Sequence, residues 1–270
     1  MSLAIAIKNP AGIVLAADSR VTLMAENVQS REKIPVHFDN ASKVLKFGPP
    51  HQFVGSVTYG QALIPDSQRT AESYLPEFEQ SLPSERVSVQ EFATKLTAFY
   101  KEQFQRSQPN YAGPPMHFYV AGFDEDDAYG RLFQMTVPSN QGPVEMHSSG
   151  IGTGFGASWG GQIEVVNRLY KGAEPALIQR IVNELSLDEG QTRKLNQLLA
   201  QEQFPIPIEV LALQDCVDLA LTLIRTTIQM QRLAIGVRGV GGPIDLVTVT
   251  RTEGLKDVQF KEVTTDDTEI

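Results

Sequence analysis

The first twenty residues constrain the fold most, because they predict a tight β-hairpin. Two short apolar runs, Leu3–Ile7 and Ile13–Ala17, flank residues 9–12 (Asn-Pro-Ala-Gly). Turn-forming residues between runs of β-branched and small apolar side chains are typical of two antiparallel strands. The second run ends at residues 18–20 (Asp-Ser-Arg), where charge interrupts an otherwise buried strand. We therefore expect the chain to begin inside a sheet.

The position of Ser2 in the chain can make its hydroxyl a stronger nucleophile. Its small side chain permits methionine aminopeptidase to remove Met1, which would leave Ser2 with a free α-amine beside its own hydroxyl. An α-amine titrates at about pH 8, so a fraction of it is a base at neutral pH. A neighbouring base is one way to activate a weak hydroxyl nucleophile. Serine is also common as a second residue without any catalytic role. The neighbouring motifs must therefore decide whether Ser2 is a nucleophile or an ordinary residue.

Residues 12–20 (Gly-Ile-Val-Leu-Ala-Ala-Asp-Ser-Arg) resemble the start of a proteasome β subunit, of the N-terminal-nucleophile (Ntn) hydrolase family. Counting back from the Asp-Ser-Arg segment by the family's spacing leads to Ser2. Further matches follow in the family's order: residues 43–47 and 53–60 resemble the catalytic-lysine strand and the strand after it, 151–154 its Gly-Ser-Gly, and 241–249 its Gly-Gly and late strand. The resemblance covers most of residues 2–60 and 115–250.

The resemblance implies a role for each matching position. The candidates are Ser2 as nucleophile, Asp18 and Arg20 as the charges around a lysine, Lys43 as that lysine, Thr153 as the hydroxyl that binds the terminal amine, and the backbone near Tyr59 and Gly60 as the oxyanion hole. A nearby lysine ammonium lowers the proton affinity of the amine and hydroxyl. Backbone N–H groups stabilise the negative oxygen that forms during acyl transfer.

The chain departs from the family pattern at several of these positions. The nucleophile is serine and not threonine, and Lys33 lies nearer the usual spacing for the lysine. Lys43 is favoured because Lys33 is followed by Ile34 and Pro35, and proline interrupts a sheet ladder. The late Asp and Ser that support the amine in the family are Val237 and Val240. These departures bear on activity rather than on fold.

Composition narrows the classes of function. The chain has 270 residues and a net charge of −9, which argues against broad nucleic-acid binding. One cysteine, Cys216, excludes an internal disulfide and suits a reducing compartment. No signal peptide is recognisable and no apolar run reaches the length of about 18 residues that a membrane span needs. We therefore expect a cytoplasmic protein.

Two glycine-rich motifs suggest other chemistry. Residues 156–160 fit the Gly-x-Ser-x-Gly nucleophile elbow, but all four histidines precede Ser158, whereas that fold places its histidine after the serine. Residues 152–157 loosely fit a dinucleotide fingerprint without a clear preceding strand or acidic partner. We expect a strand-to-helix turn over residues 150–160. The acidic run at 124–127 predicts a solvated turn, and no metal-ligand spacing or cofactor motif is present.

The remaining chain predicts helices joined by loops and closing strands. Residues 21–40 suggest a connection or flap. Helices are expected over 88–106, where Ser88 and Glu91 form a capping-box pattern, and over 174–185, 189–202 and 213–232. Residues 161–212 are interpreted as a helical insertion. Closing strands are expected at 235–240 and 244–251, followed by an acidic tail at 256–270.

These elements predict an α+β fold. With the resemblance, they predict a four-layer αββα sandwich over residues 1–255. The resemblance implies a peptidase that hydrolyses amide bonds of peptides or proteins through Ser2, without cofactor or metal, in a homo-oligomeric ring or stack. Two alternatives remain: an inactive scaffold-type subunit and an Ntn amidohydrolase of small amides. Neither nucleic acid nor membrane is expected as a partner.

Overall fold

The computed structural model describes residues 2–27, 29, 31–149 and 152–262. Sixteen strands lie within these residues: β1 Leu3–Asn9, β2 Gly12–Asp18, β3 Val21–Glu26, β4 Lys33–Phe38, β5 Val44–Lys46, β6 Val54–Gly60, β7 Leu63–Ile64, β8 Arg69–Thr70, β9 Met116–Gly122, β10 Arg131–Val137, β11 Val144–Met146, β12 Ser148–Ser149, β13 Gly152–Thr153, β14 Gly156–Gly161, β15 Ile244–Thr250 and β16 Gly254–Gln259. The same residues contain six α-helices: α1 Leu75–Ser81, α2 Val89–Ser107, α3 Glu164–Lys171, α4 Pro175–Glu184, α5 Glu189–Gln201 and α6 Leu213–Leu233.

The first five-stranded sheet is built around the N-terminal hairpin. Its strand order is β14-β1-β2-β15-β16, and every neighbouring pair is antiparallel. The predicted hairpin is confirmed, with Ala4 opposite Ala17 and Asn9 opposite Gly12. The Asn9 side-chain oxygen accepts hydrogen bonds from the backbone N–H groups of Ala11 and Gly12, both at 3.0 Å. This local Asx bonding explains why the turn could be recognised from sequence.

The second five-stranded sheet has the order β11-β10-β9-β6-β5 and is also antiparallel. Residues 21–40, predicted as a connection or flap, instead contain the two-stranded hairpin β3–β4. Pro35 lies opposite Met24 in this ribbon. A proline is tolerated there because a two-stranded ribbon leaves one edge of each strand without a hydrogen-bonded neighbour.

Buried apolar side chains form three clusters, one between the sheets and one on the outer face of each. Along β1, Ala4 and Ala6 belong to the cluster that also holds Val57 and Tyr119 of the second sheet. The alternate residues of β1 belong to the cluster that contains α6. The third cluster joins the second sheet to α1 and α2. Ser2 has the same parity as Ala4, so strand alternation directs it toward the second sheet.

The α+β prediction is confirmed by these antiparallel sheets and helices. The predicted helix at 88–106 is α2, and the Ser88 hydroxyl accepts a hydrogen bond from the Glu91 backbone N–H at 3.2 Å. Helices α4 and α5, in the segment interpreted as an insertion, contain no fully buried residue. No helix of the described residues is long and apolar enough to cross a membrane.

Three segments differ from the prediction. Residues 156–161 form the strand β14 and not a turn. Glycine is needed in β14 because a Cβ at Gly160 would lie 2.2 Å from the Tyr59 ring. The predicted strand at 235–240 is irregular, since β15 begins only at Ile244. Strand β16 includes residues 256–259 of the predicted tail, while 263–270, like residues 150 and 151 of the glycine-rich segment, lie outside the described residues.

Candidate active site

Ser2 lies in a cleft at the open end of the layer between the two sheets. It directly precedes β1 and is only 3% exposed. Its hydroxyl oxygen accepts a hydrogen bond from the backbone N–H of Gly60 at 3.2 Å. The cleft also brings in Arg20, Lys43 and Tyr59. Residues far apart in the sequence therefore line the cleft that holds the hydroxyl predicted as the nucleophile.

Gly60 presents its N–H to Ser2 because the backbone turns sharply at the end of β6. Its φ is +87°, in the left-handed region that favours glycine. A Cβ there would lie 2.7 Å from the backbone oxygen of Pro115 and 3.0 Å from the His117 ring. Tyr59, the other predicted oxyanion position, lines the cleft, and its ring stacks on His117 with centroids 4.8 Å apart.

Asp18 forms the centre of the hydrogen-bond network beside Ser2. One carboxylate oxygen accepts from Lys43 Nζ at 2.7 Å and from the Leu3 backbone N–H at 2.9 Å. The other accepts from the backbone N–H groups of Gly241 at 2.9 Å and Arg20 at 3.2 Å. The side chain is fully buried. These donors compensate the burial of the charge and fix the carboxylate in place.

Lys43 extends from the residue before β5 into the cleft. Its ammonium donates to Asp18 and, at 2.6 Å, to the backbone oxygen of Arg20. Burial lowers the pKa of Lys43, while the neighbouring Asp18 carboxylate opposes that shift. The alternative lysine, Lys33, is exposed at the start of β4. Of the two candidates, the structure therefore places Lys43 beside Asp18 in the cleft.

The Arg20 side chain is bonded to a neighbouring loop through Asp39. Its Nε and Nη2 donate to the two carboxylate oxygens of Asp39, both at 2.6 Å. These hydrogen bonds lower the pKa of Asp39 and raise that of Arg20. A Cβ at Gly241 would lie 2.5 Å from the guanidinium carbon, so a side chain there would displace this end of Arg20. Arg20 therefore contributes its backbone oxygen to the lysine site and its charge to the adjoining loop.

Thr153 is not brought to Ser2. It lies on β13, paired with Ser148, and lines a cavity together with Lys8. Lys8 is at the end of β1 opposite to Ser2, six residues away, which is about 20 Å along a strand. The predicted contact with the terminal amine is thus not formed.

The segment that does reach Ser2 follows β14. Leu3 pairs with Gly161, and the backbone N–H of Gln162 donates to the Ser2 carbonyl oxygen at 2.8 Å. Six residues of β14 separate this point from the glycine-rich turn that resembled the family's Gly-Ser-Gly. The predicted role of Thr153 was wrong because residues 156–161 form a strand, and not part of the turn that was predicted over residues 150–160.

Sequence reasoning also missed residues that support the site. Lys261 donates to the Ser19 hydroxyl at 3.0 Å and forms an ion pair with the buried Asp245. Ser19 and Lys261 are separated by 242 positions, so no local pattern indicates the contact. Of the two valines at the family's supporting positions, Val240 is buried and Val237 is exposed.

Neither a metal centre nor a reactive thiol is indicated within the described residues. They contain no group of three or more His, Cys, Asp or Glu side chains suited to hold a metal ion. Burial raises the pKa of Cys216 to about 11, and Asn9 donates to its sulfur at 3.4 Å. This thiol therefore behaves as a structural core residue.

No protein-family profile and no curated protein matches this sequence. Its fold is similar to that of Anbu (ancestral beta-subunit) from Yersinia bercovieri, with a TM-score of 0.54 and 15% identity over 95% of this chain and 86% of that one. It is also similar to a structure described as the helical assembly of the Anbu complex from Pseudomonas aeruginosa, with a TM-score of 0.54 and 14% identity over 98% and 88% of the two chains.

A third structure, an Anbu (Gly-1) mutant from Hyphomicrobium sp. strain MC1, has a TM-score of 0.53 and 15% identity over 96% of this chain and 88% of that one. These comparisons correct the assignment to proteasome β subunits, because the structural neighbours are Anbu proteins, a related but distinct proteasome-like family. At this level of identity the similarity establishes the fold alone.

Proposed function

We propose that this protein is an Ntn-type amide hydrolase that cleaves peptides through Ser2 after removal of Met1. The observation that carries the proposal is the meeting of the Ser2 hydroxyl, the Gly60 N–H and the Lys43 ammonium in one cleft. These are a nucleophile, a donor for the developing oxyanion and a charge that tunes proton affinity. Together with the α-amine that removal of Met1 would free as the base, they provide the groups that the proposed acyl transfer to serine uses.

The proposed reaction proceeds in two steps. The Ser2 oxygen attacks the substrate carbonyl while its proton passes to the freed α-amine, and the oxygen of the tetrahedral intermediate accepts from the Gly60 N–H. The C–N bond then breaks, and the leaving amine takes the proton. Water attacks the resulting ester, with the α-amine again as base, and releases the acid and Ser2.

Lys43 would act on these steps through its charge. A buried ammonium held by Asp18 lowers the proton affinity of the nearby amine and hydroxyl, so more of the amine is a free base at neutral pH. Asp18 would hold the lysine in position, since its remaining bonds go to backbone groups.

We further propose that the chain forms one four-layer αββα domain that extends beyond residue 255 to the end of β16 at Gln259, with α3–α5 in an insertion and a short acidic tail behind it. The three apolar clusters support this layering. We also propose a cytoplasmic homo-oligomer. Support comes from the exposed apolar side chains of α4 and α5 and from the helical assembly described for the Pseudomonas aeruginosa Anbu complex.

One observation favours a second candidate, a catalytically inactive subunit with an assembly role. The hydroxyl expected to bind the terminal amine, Thr153, lies at the far end of β1, and valines occupy the other supporting positions. A terminal amine without such partners is a poorer base because nothing orients it toward the hydroxyl.

Hydrolysis of a panel of short fluorogenic peptide amides by matched variants tests the proposal. Ser2→Ala should abolish turnover. Gly60→Ala keeps its backbone N–H, but its Cβ would lie 2.7 Å from the Pro115 backbone oxygen and so would displace that N–H from Ser2. We expect kcat to fall by about 100- to 1,000-fold, the effect of losing one oxyanion donor. Gly142→Ala is the control, because a Cβ there meets nothing within 4 Å.

Equal activity of the Gly60→Ala and Gly142→Ala proteins would contradict the assigned oxyanion donor. Absence of turnover by the wild-type protein on every peptide would reject the peptidase. If small acyl amides were then cleaved in a Ser2-dependent way, the small-amide hydrolase would replace it; if they were not, the inactive subunit would.

A further inference from the structure

Another cavity opens beside β14, away from the Ser2 cleft. It has a volume of about 330 Å³, within the range of about 300–1,000 Å³ common for small-molecule sites. Its wall includes His147, Ser158, Trp159, Asn167 and Lys171. Ser158 lies opposite Ala6 on β1, so it is four residues, about 13 Å, along the strands from the level of Ser2.

Ser158 and His147 form a pair that the sequence suggested by motif but excluded by chain order. The Ser158 hydroxyl lies 2.9 Å from His147 Nε2. His147 has a φ of +51°, an uncommon backbone conformation for a residue with a side chain. Its backbone oxygen accepts from the Gly154 N–H at 2.9 Å and from Lys8 Nζ at 3.3 Å, which holds it there. Uncommon backbone geometry of this kind concentrates at functional sites.

Asn167 supplies an independent indication of a ligand. It is only 1% exposed, and its side-chain oxygen accepts from the Trp159 indole N–H at 2.9 Å. Because the indole nitrogen can only donate, the orientation of the amide is fixed. The Asn167 Nδ2 group then has no acceptor among the described residues, although it is buried. A buried donor without a partner is costly, so an acceptor from outside the described residues would stabilise this group.

The remaining wall determines the chemistry of that acceptor. Lys171 carries the only formal charge among the described residues that line the cavity, and its ammonium lies 5.1 Å from the Trp159 ring centre. The rings of Trp159 and Tyr119 and the side chain of Met146 provide apolar surface. A cation, an unpartnered amide donor and a hydroxyl beside aromatic rings suit an anion with an apolar substituent.

We propose that this cavity binds a small carboxylate that carries an apolar or aromatic group. The carboxylate would accept from Asn167 and Lys171, and the apolar group would pack against Trp159. The proposal is independent of catalysis at Ser2, because the two sites share no lining residue.

The chain provides its own reporter, since Trp159 is its single tryptophan. N-acetyl-L-phenylalanine is the probe, titrated against the fluorescence of Trp159, and N-acetyl-L-phenylalanine amide is its neutral control. The carboxylate should give a saturable change in the micromolar to millimolar range, while the amide should bind at least about tenfold more weakly. The same titration of Ser2→Ala should be unchanged, which separates this site from the proposed peptidase.

Matched variants complete the test. Lys171→Gln should weaken binding by about tenfold, whereas Lys194→Gln, which removes an exposed charge on α5, should have no effect. Asn167→Asp keeps the acceptor for the indole but presents an anion to the ligand, so it should abolish binding. The proposal is overturned if fluorescence does not change with the probe, if acid and amide act equally, or if Lys171→Gln behaves like Lys194→Gln.

Discussion

Asp18 brings together three parts of the chain around the candidate nucleophile. It accepts from the strand that follows Ser2, from the lysine before β5 and from the loop before β15. A buried carboxylate needs donors of this kind because an ion without partners in the interior is strongly unfavourable. The hydrogen bonds that join these three parts of the chain therefore also position Lys43.

Replacing Lys43 should destabilise the protein as well as inactivate it. Lys43→Met leaves the Asp18 carboxylate buried without its cation, and loss of one partner of a buried pair costs about 3–5 kcal/mol. Lys46→Met is the control on β5, because Lys46 pairs with Asp257 at the surface, where a pair contributes about 1 kcal/mol or less. Urea unfolding monitored by circular dichroism measures both. Equal losses in the two variants would show that the Asp18–Lys43 pair has no special role in stability.

Among the elements, Arg131 joins the β9–β10 turn to strands β10 and β11. Its Nε and Nη2 donate to the Glu145 carboxylate at 2.9 and 2.7 Å, and it also forms an ion pair with Asp124 at 3.3 Å. These bonds lower the pKa of Glu145 below its ordinary value of 4.5. The acidic run at 124–127 therefore serves in part to anchor the turn.

This lowered pKa predicts an acid dependence of stability. Because Glu145 binds protons less readily in the folded state, its contribution is fully present above pH about 4.5 and is lost as pH falls through its folded pKa. Glu145→Gln should therefore cost about 1 kcal/mol or less at pH 7, and the difference from wild type should shrink toward zero in acid. Unfolding free energies measured from pH 7 down to pH 3 check this. A difference that stays constant or grows on acidification would contradict it.

The elements that could be predicted from sequence are those specified by local signals. The first hairpin has its Asx turn, and α2 has its cap and apolar periodicity. Strand β14 could not be predicted, because one of its glycines, Gly160, is required by the Tyr59 ring, which lies about 100 positions earlier. In the site, Asp18 and Lys43 were given roles through a family resemblance, whereas Gly241 was matched to the family without a role and Lys261 was not matched. Their contacts join distant parts of the chain and leave no local pattern.

At the scale of the whole molecule, the two sheets enclose a layer that is open at both ends. The Ser2 cleft lies at one end of β1, and the cavity beside Lys8 lies at the other. The helices α4 and α5 lie outside this body and expose Leu177 and Leu198, and Leu185, which directly follows α4, is exposed as well. Apolar side chains on helices without buried residues suit contact with another subunit.

The proposed assembly should therefore depend on these leucines. Leu185→Asp combined with Leu198→Asp should shift the wild-type oligomer toward monomer without unfolding it, because both side chains are exposed, at 67% and 53%. Val144→Asp is the control, an exposed apolar residue on β11 at 56%. Sedimentation velocity distinguishes the species. A monomeric wild-type protein, or an oligomer unaffected by the leucine changes, would contradict this surface as the interface.

The most direct test of the central claim is the intact mass of the purified protein before and after an epoxyketone probe. This probe reacts only where a hydroxyl and a free α-amine lie on the same residue. We predict a chain that lacks Met1 and takes up one probe molecule at Ser2, with the adduct lost in Lys43→Ala. Retention of Met1 and absence of an adduct would contradict the account and remove Ser2 from catalysis.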